Sequence, residues 1–211
     1  MSELKVTIAV DEAVSLEAAY SPLEGARGAA VVLHPHPNYG GSMDNNVVWA
    51  LTRGALAAGW SALRFNFRGV GRSTGRHGGG AAEAEDVLAV AGWLAQRQKG
   101  PLALMGYSFG SLIGSLAATR LTGLACGLWA SPPLVLGELA PWPVQAGPLL
   151  IMVGSADEFT DVGRLEAYCR QTGARCRLEV SKGGDHFWWG GESVLTQASR
   201  GLLLSASGPA V

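Results

Sequence analysis

The amino-acid sequence predicts an α/β architecture, a mostly parallel sheet of about eight strands with helices on both faces. Two observations carry that expectation. From Ala29 onward, continuous apolar runs of strand length alternate with stretches of helical periodicity. Apolar residues make up 48% of the 211 positions and charged residues 16%, where about 25% is usual, so the chain has the material for a sizeable buried core and not for a disordered segment. A single domain over residues 1–211 is the expectation, since no linker divides the chain and no repeat occurs in it.

The elements follow in order. Residues 4–10 and 15–20 are short, partly alternating runs leading into a turn around Pro22 and Gly25, and read as an opening hairpin. Further strands are expected over 29–33, 61–67, 102–107, 124–130, 149–153 and 176–180, most of them close to the continuous apolar runs of buried parallel strands. Helices are expected over 45–58, 81–97, 109–121, 162–171 and 193–204. The glycine-rich stretch 75–80 reads as a loop. In such a sheet ligands sit beyond the carboxyl ends of the strands, so the residues just after each apolar run carry the chemistry.

Composition and charge narrow the partners. A net charge of −1 gives no broad attraction to nucleic acid or an anionic membrane, and no apolar run reaches about 18 residues. The first residues, MSELKVTIAVDEAV, have neither a basic start nor an unbroken apolar stretch, which points to the cytoplasm. Cys126, Cys169 and Cys176 form no CxxC pair and are odd in number, which points to a reducing compartment.

Gly106-Tyr107-Ser108-Phe109-Gly110 lies between the apolar run Leu102-Ala103-Leu104-Met105 and a helical pattern. A serine on so tight a strand-to-helix turn projects its hydroxyl near free helix N–H groups, and the flanking positions must be very small. A second GxSxG, at Gly71-Arg72-Ser73-Thr74-Gly75, runs into a glycine-rich loop instead of a helix, so Ser73 lacks that context. A serine nucleophile needs a base, and His186 stands on the loop after the last apolar run. It also needs a carboxylate to orient that base; Asp157, four residues after Val153, is preferred over Glu158, Asp161 and Asp185. Asp161 reads as a helix N-cap and Asp185 as an anchor for the loop of His186. Oxyanion donors are expected from the backbone N–H of Phe109 and, because Pro35 and Pro37 have none, from that of His36.

Competing chemistries find less support. His34 and His36 have metal-ligand spacing, but only two other histidines and no cysteine pair exist to complete a site, so no metal is expected. Gly69, Gly71 and Gly75 have the wrong spacing for a dinucleotide fingerprint, so no cofactor is expected either. Arg64, Arg68, Arg72 and Arg76 read as strand-end and loop charges, with an anion-binding site as the minority reading. Tyr39, Trp142 and Trp188 are candidate walls of a substrate pocket.

Taken together, the elbow and the loops carrying acid and base resemble those of the α/β-hydrolases, here over residues 4–204. The likeness is greatest to the small lidless bacterial group that also resembles dienelactone hydrolases and short acyl-peptidase-like domains. His34-Pro35-His36-Pro37, Gly40-Gly41-Ser42-Met43 and Phe65-Asn66-Phe67-Arg68-Gly69-Val70-Gly71-Arg72-Ser73 carry it, with the elbow. The resemblance implies Ser108, Asp157 and His186 as a triad. Dienelactone hydrolases have cysteine where Ser108 stands, so their substrate is not carried over. The connection 131–148, about 18 residues and rich in proline, leaves no room for a cap domain, so the site should be open. The expected activity is hydrolysis of a small-molecule carboxylic ester or thioester through an acyl-enzyme. A peptidase or amidase, a metal-dependent hydrolase and a hydrolase-like interaction protein with little turnover are the alternatives. Oligomeric state is not readable from the chain.

Overall fold

The computed structural model describes residues 3–206. The opening hairpin forms as expected, β1 (Leu4–Ala9) against β2 (Ser15–Ser21), antiparallel with Leu4 opposite Tyr20. Alternation of strand and helix then gives β3 (Ala29–Leu33), α1 (Asn46–Ala57), β4 (Ser61–Phe65), α2 (Ala81–Ala95), β5 (Leu102–Tyr107), α3 (Phe109–Ala118), β6 (Leu124–Ala130), β7 (Leu149–Gly154), α4 (Val162–Thr172), β8 (Cys176–Ser181) and α5 (Glu192–Ala206). The sheet order is β1-β2-β4-β3-β5-β6-β7-β8, with β3 to β8 parallel and the hairpin joined antiparallel through β2 to β4. No helix interrupts the connection from β6 to β7, so nothing caps the strand ends there.

Alternation along the central strands feeds two apolar layers. Val31, Leu33 and Leu104 pack with Val87, Val90, Phe109, Ile113 and Leu165 under α2, α3 and α4. Ala30, Val32, Ala103 and Met105 pack with Val47, Leu51, Leu195 and Leu203 under α1 and α5. The two helices on that second face lie close: a Cβ on Gly54 of α1 would stand 1.8 Å from the Ser199 hydroxyl of α5.

The order also fixes where a site can form. The crossover through α1 sets β4 on one side of β3, and the crossover through α2 returns β5 to the other side. The carboxyl ends of β3 and β5 therefore flank the point where the winding reverses, the crevice in which open α/β sheets bind ligands.

Helices α2 and α3 end two and three residues before the expected 97 and 121, and two further departures involve named contacts. β4 stops at Phe65 and not at Phe67: the N–H of Asn66 still donates to the Glu17 carbonyl of β2, but that of Phe67 leaves the ladder for the His34 ring. Cys169 and Cys176 are joined as a disulfide between the end of α4 and the start of β8, whereas the cysteine count suggested free thiols. The Gly173 turn brings their Cα atoms to 5.0 Å. Cys126 is free and buried in the sheet, its thiol pushed up to about 12 by burial. Among the described residues no helix is long and apolar enough to cross a membrane.

Candidate active site

β5 runs straight into α3 through Ser108, whose φ of 52° and ψ of −123° place it in a region side chains rarely adopt. The two glycines make that turn possible. A Cβ on Gly106 would lie 2.4 Å from the Gly110 carbonyl oxygen, and one on Gly110 would lie 2.7 Å from the carbonyl oxygens of Leu33 and His34. Both contacts are with backbone, so no side-chain movement relieves them. The N–H of Phe109 opens α3, where the helix offers it no carbonyl.

The loops after β7 and β8 are pressed together. The N–H of Ala156 donates to the Gly184 carbonyl and that of Ser155 to Ser181, while a Cβ on Gly154 would collide with Gly184 at 2.1 Å. This contact sets Asp157 against His186. Ser108 Oγ lies 3.0 Å from His186 Nε2, and His186 Nδ1 lies 3.0 Å from each carboxylate oxygen of Asp157. The tautomer that satisfies both contacts carries its proton on Nδ1 and leaves Nε2 free to accept from the serine. All three side chains are buried below the rim.

Burial alone would raise the pKa of Asp157, but it is outweighed. Hydrogen bonds and the charge of His186, the Ser131 hydroxyl and the N–H of Phe159 hold the carboxyl below the ordinary carboxylate range. Asp185 turns away and accepts from the N–H groups of Phe187 and Trp188, and Asp161 caps α4 through the N–H of Arg164. Tyr107 steadies the same loop by donating its hydroxyl to the His186 carbonyl at 3.0 Å.

The loop after β3 folds over a 3-10 turn, Pro37–Tyr39, whose first carbonyl partners are tight: the N–H groups of Tyr39 and Gly41 both donate to the His36 carbonyl at 3.1 Å. His36 and Ser108 line one cavity of about 410 Å³, with Tyr39, Val135, Phe159 and Phe187 among its walls. No Asp, Glu, Lys or Arg lines it. Tyr39 stands at its mouth, 81% exposed.

Two of the expected pocket residues lie elsewhere. Trp142 is buried against Trp129, with ring centroids 5.8 Å apart, and donates Nε1–H to the Gly147 carbonyl; β6 takes it because Gly127 leaves room for the ring. Trp188 turns into the layer under α5, since its φ of 59° reverses the chain after Phe187, and it is Phe187 that faces the cavity. The Trp188 indole donates to Ser131 Oγ at 2.9 Å, and that hydroxyl in turn contacts Asp157. Ser131, with a φ of 47°, was missed in the sequence; its place at the end of β6, beside the loop of the acid, was the available signal.

The remaining candidates are held by the scaffold. Ser73 donates to the Asn66 carbonyl and accepts from the N–H of Glu17. Arg64 is bound to Met43, Asp44 and Glu3, and Arg68 to Asp86, while Arg72 and Arg76 do not line the cavity. Among the described residues no cluster of three His, Cys, Asp or Glu is arranged to hold a metal ion. His36 Nδ1 accepts from the N–H of Asn38.

His34 is a strut: Nδ1 donates to the Pro35 carbonyl at 2.6 Å and Nε2 accepts from the N–H of Phe67 at 3.0 Å. Burial lowers its pKa to about 4, so below about 6.5 the unfolded chain binds a proton that the folded chain refuses. Stability is then expected to fall by up to ~3 kcal/mol as pH drops from 6.5 towards 4, on this residue's account. Urea unfolding at stepped pH checks it. His34→Gln, which keeps both a donor and an acceptor, should flatten the slope, and an unchanged slope would assign the acid sensitivity elsewhere.

Sheet order and elbow together are those of an α/β hydrolase with no lid over its strand ends. The chain belongs to that family: the model of an alpha/beta hydrolase domain matches residues 28–198. An uncharacterised protein of Rickettsia prowazekii is 34% identical over 174 residues, 75% of this chain and 71% of that one. A lidless α/β serine hydrolase of Xanthomonas campestris superposes with a TM-score of 0.87 at 28% identity, covering 100% of this chain and 97% of that one. A serine hydrolase homologue of Coxiella burnetii gives 0.80 at 29% identity, with 97% of each chain covered.

Proposed function

We propose that the protein is a serine hydrolase that cleaves neutral carboxylic esters or thioesters through an acyl-enzyme. The observation that carries this reading is the unbroken series of 3.0 Å contacts from Asp157 through His186 to Ser108 on a strained elbow. Ser108 Oγ attacks the carbonyl carbon while His186 Nε2 takes its proton. Asp157 holds the ring in the required tautomer and stabilises the imidazolium. The N–H groups of Phe109 and His36 receive the oxyanion of the tetrahedral intermediate. His186 then protonates the departing alcohol or thiol, and water, deprotonated by the same imidazole, releases the acid and restores Ser108.

Neutral esters are favoured over charged ones because, among the described residues, no Asp, Glu, Lys or Arg lines the cavity. The test is covalent. A fluorophosphonate probe should label the purified protein once per chain, with the adduct mapped to the peptide carrying Ser108 and turnover of p-nitrophenyl acetate lost in step with labelling. An adduct on Ser73, or none, would defeat the reading.

A further inference from the structure

A second cavity of about 380 Å³ adjoins the first and shares His36 and Leu136 with it as walls. One wall is α3, with Phe109 and Ile113 at its buried end and Leu112 and the exposed Leu116 beside them, and its far side is the loop after β6 with Leu139. It touches both residues proposed as oxyanion donors, Phe109 and His36, and begins beyond Ser108, touching neither that residue nor His186, Phe159 or Phe187.

We infer that this second cavity receives an aliphatic acyl chain, so that the preferred substrates are neutral esters of medium-chain carboxylic acids. The inference rests on the serine esterase reading and deepens it. In the tetrahedral intermediate the carbonyl carbon is bonded to Ser108 Oγ and its oxyanion points to the N–H groups of Phe109 and His36. The leaving oxygen must reach the proton on His186 Nε2, so it occupies the side walled by Phe159 and Phe187, whose rings lie 4.7 Å and 5.6 Å from the imidazole. The remaining substituent, the acyl chain, is directed away from His186, towards the cavity that His186 does not touch. The walls there are chiefly aliphatic, and the one carboxylate at the edge, Glu138, is paired with Arg164. From Phe109 to Leu116 the helix advances about 10 Å at 1.5 Å per residue, the length of an extended chain of about eight carbons.

Gly137 gives a means of blocking this space. A Cβ there would meet only Leu112 Cδ1, at 3.8 Å, so a larger side chain fits the exposed loop and projects into the cavity. The experiment compares kcat/KM for p-nitrophenyl acetate and octanoate, and for octyl acetate, in the wild type, Gly137→Phe and Leu116→Trp, with Tm measured for each. The wild type should prefer octanoate to acetate by about tenfold or more, and each folded variant should lower that octanoate-to-acetate ratio by about tenfold. An unchanged ratio in both folded variants would overturn the assignment. Loss confined to octyl acetate would also overturn it, because the cavity would then hold the alcohol. A wild type that hydrolyses none of the three and takes no fluorophosphonate label would remove the esterase reading itself, and this inference with it, a result distinct from unaltered chain-length selectivity in an active enzyme.

Discussion

Replacing Ser108 with alanine is expected to lower kcat/KM for a short p-nitrophenyl ester by roughly 10⁴-fold or more, with little change in fold. The size of the effect follows from what remains. Without the hydroxyl, His186 and Asp157 still form their hydrogen bonds to each other, and the N–H groups proposed as oxyanion donors remain in place. Water would then have to do unaided what a positioned alkoxide does. Ser73→Ala is the matched control, for the second GxSxG serine is spent on the Asn66 carbonyl and the Glu17 N–H. Its loss should cost about 1–2 kcal/mol of stability and leave turnover in place. Steady-state kinetics with urea unfolding of both variants separates the cases, and near-equal activity of Ser108→Ala and wild type would end the nucleophile assignment.

Gly106→Ala is expected to destabilise the fold by about 3 kcal/mol or more, although it adds a single methyl group. The added carbon would stand 2.4 Å from the Gly110 carbonyl oxygen, 2.6 Å from the Gly110 carbonyl carbon and 2.7 Å from the Ser111 nitrogen. All three are main-chain atoms of α3, so relief requires the strand and helix to separate. That separation would open the layer in which Phe109 and Ile113 pack and would swing Ser108 away from His186. A urea midpoint equal to that of the wild type would show that the elbow has slack the geometry denies.

The periodicity of apolar runs carried most of this architecture, because a strand buried on both faces has almost no freedom in composition. The order of helices and strands was legible for that reason, the hairpin from its alternating runs, and the absence of a cap from the shortness of the connection 131–148. Boundaries were less so: β4 ends two residues early because the N–H of Phe67 goes to the ring of His34, a side chain and not a strand carbonyl. The juxtaposition of Ser108, Asp157 and His186 followed from the rule that turns at the carboxyl edge converge. The aromatic walls did not follow, since a single φ at Trp188 decides whether it or Phe187 meets the cavity. Nor did the Cys169–Cys176 bridge, which depends on the turn at Gly173 folding β8 back along α4. Ser131 was missed for a similar reason: its position after the β6 run was legible, but its partners Trp188 and Asp157 come from two other loops.

Among the described residues, the three non-glycine positions with positive φ are Ser108, Ser131 and Trp188, and all three adjoin the same few side chains. They are moored on opposite sides of the sheet. Ser108 is carried by α3, over one apolar layer, whereas the indole that steadies Ser131 is sunk in the other, against Leu195 and Leu203 of α5. The hydrogen-bonded side chains of Ser108, His186 and Asp157 are thus held from both faces of the sheet. Through the Trp188 indole and the Ser131 hydroxyl the layer under α5 is tied to the Asp157 carboxylate, whereas Ser108 is tied to α3.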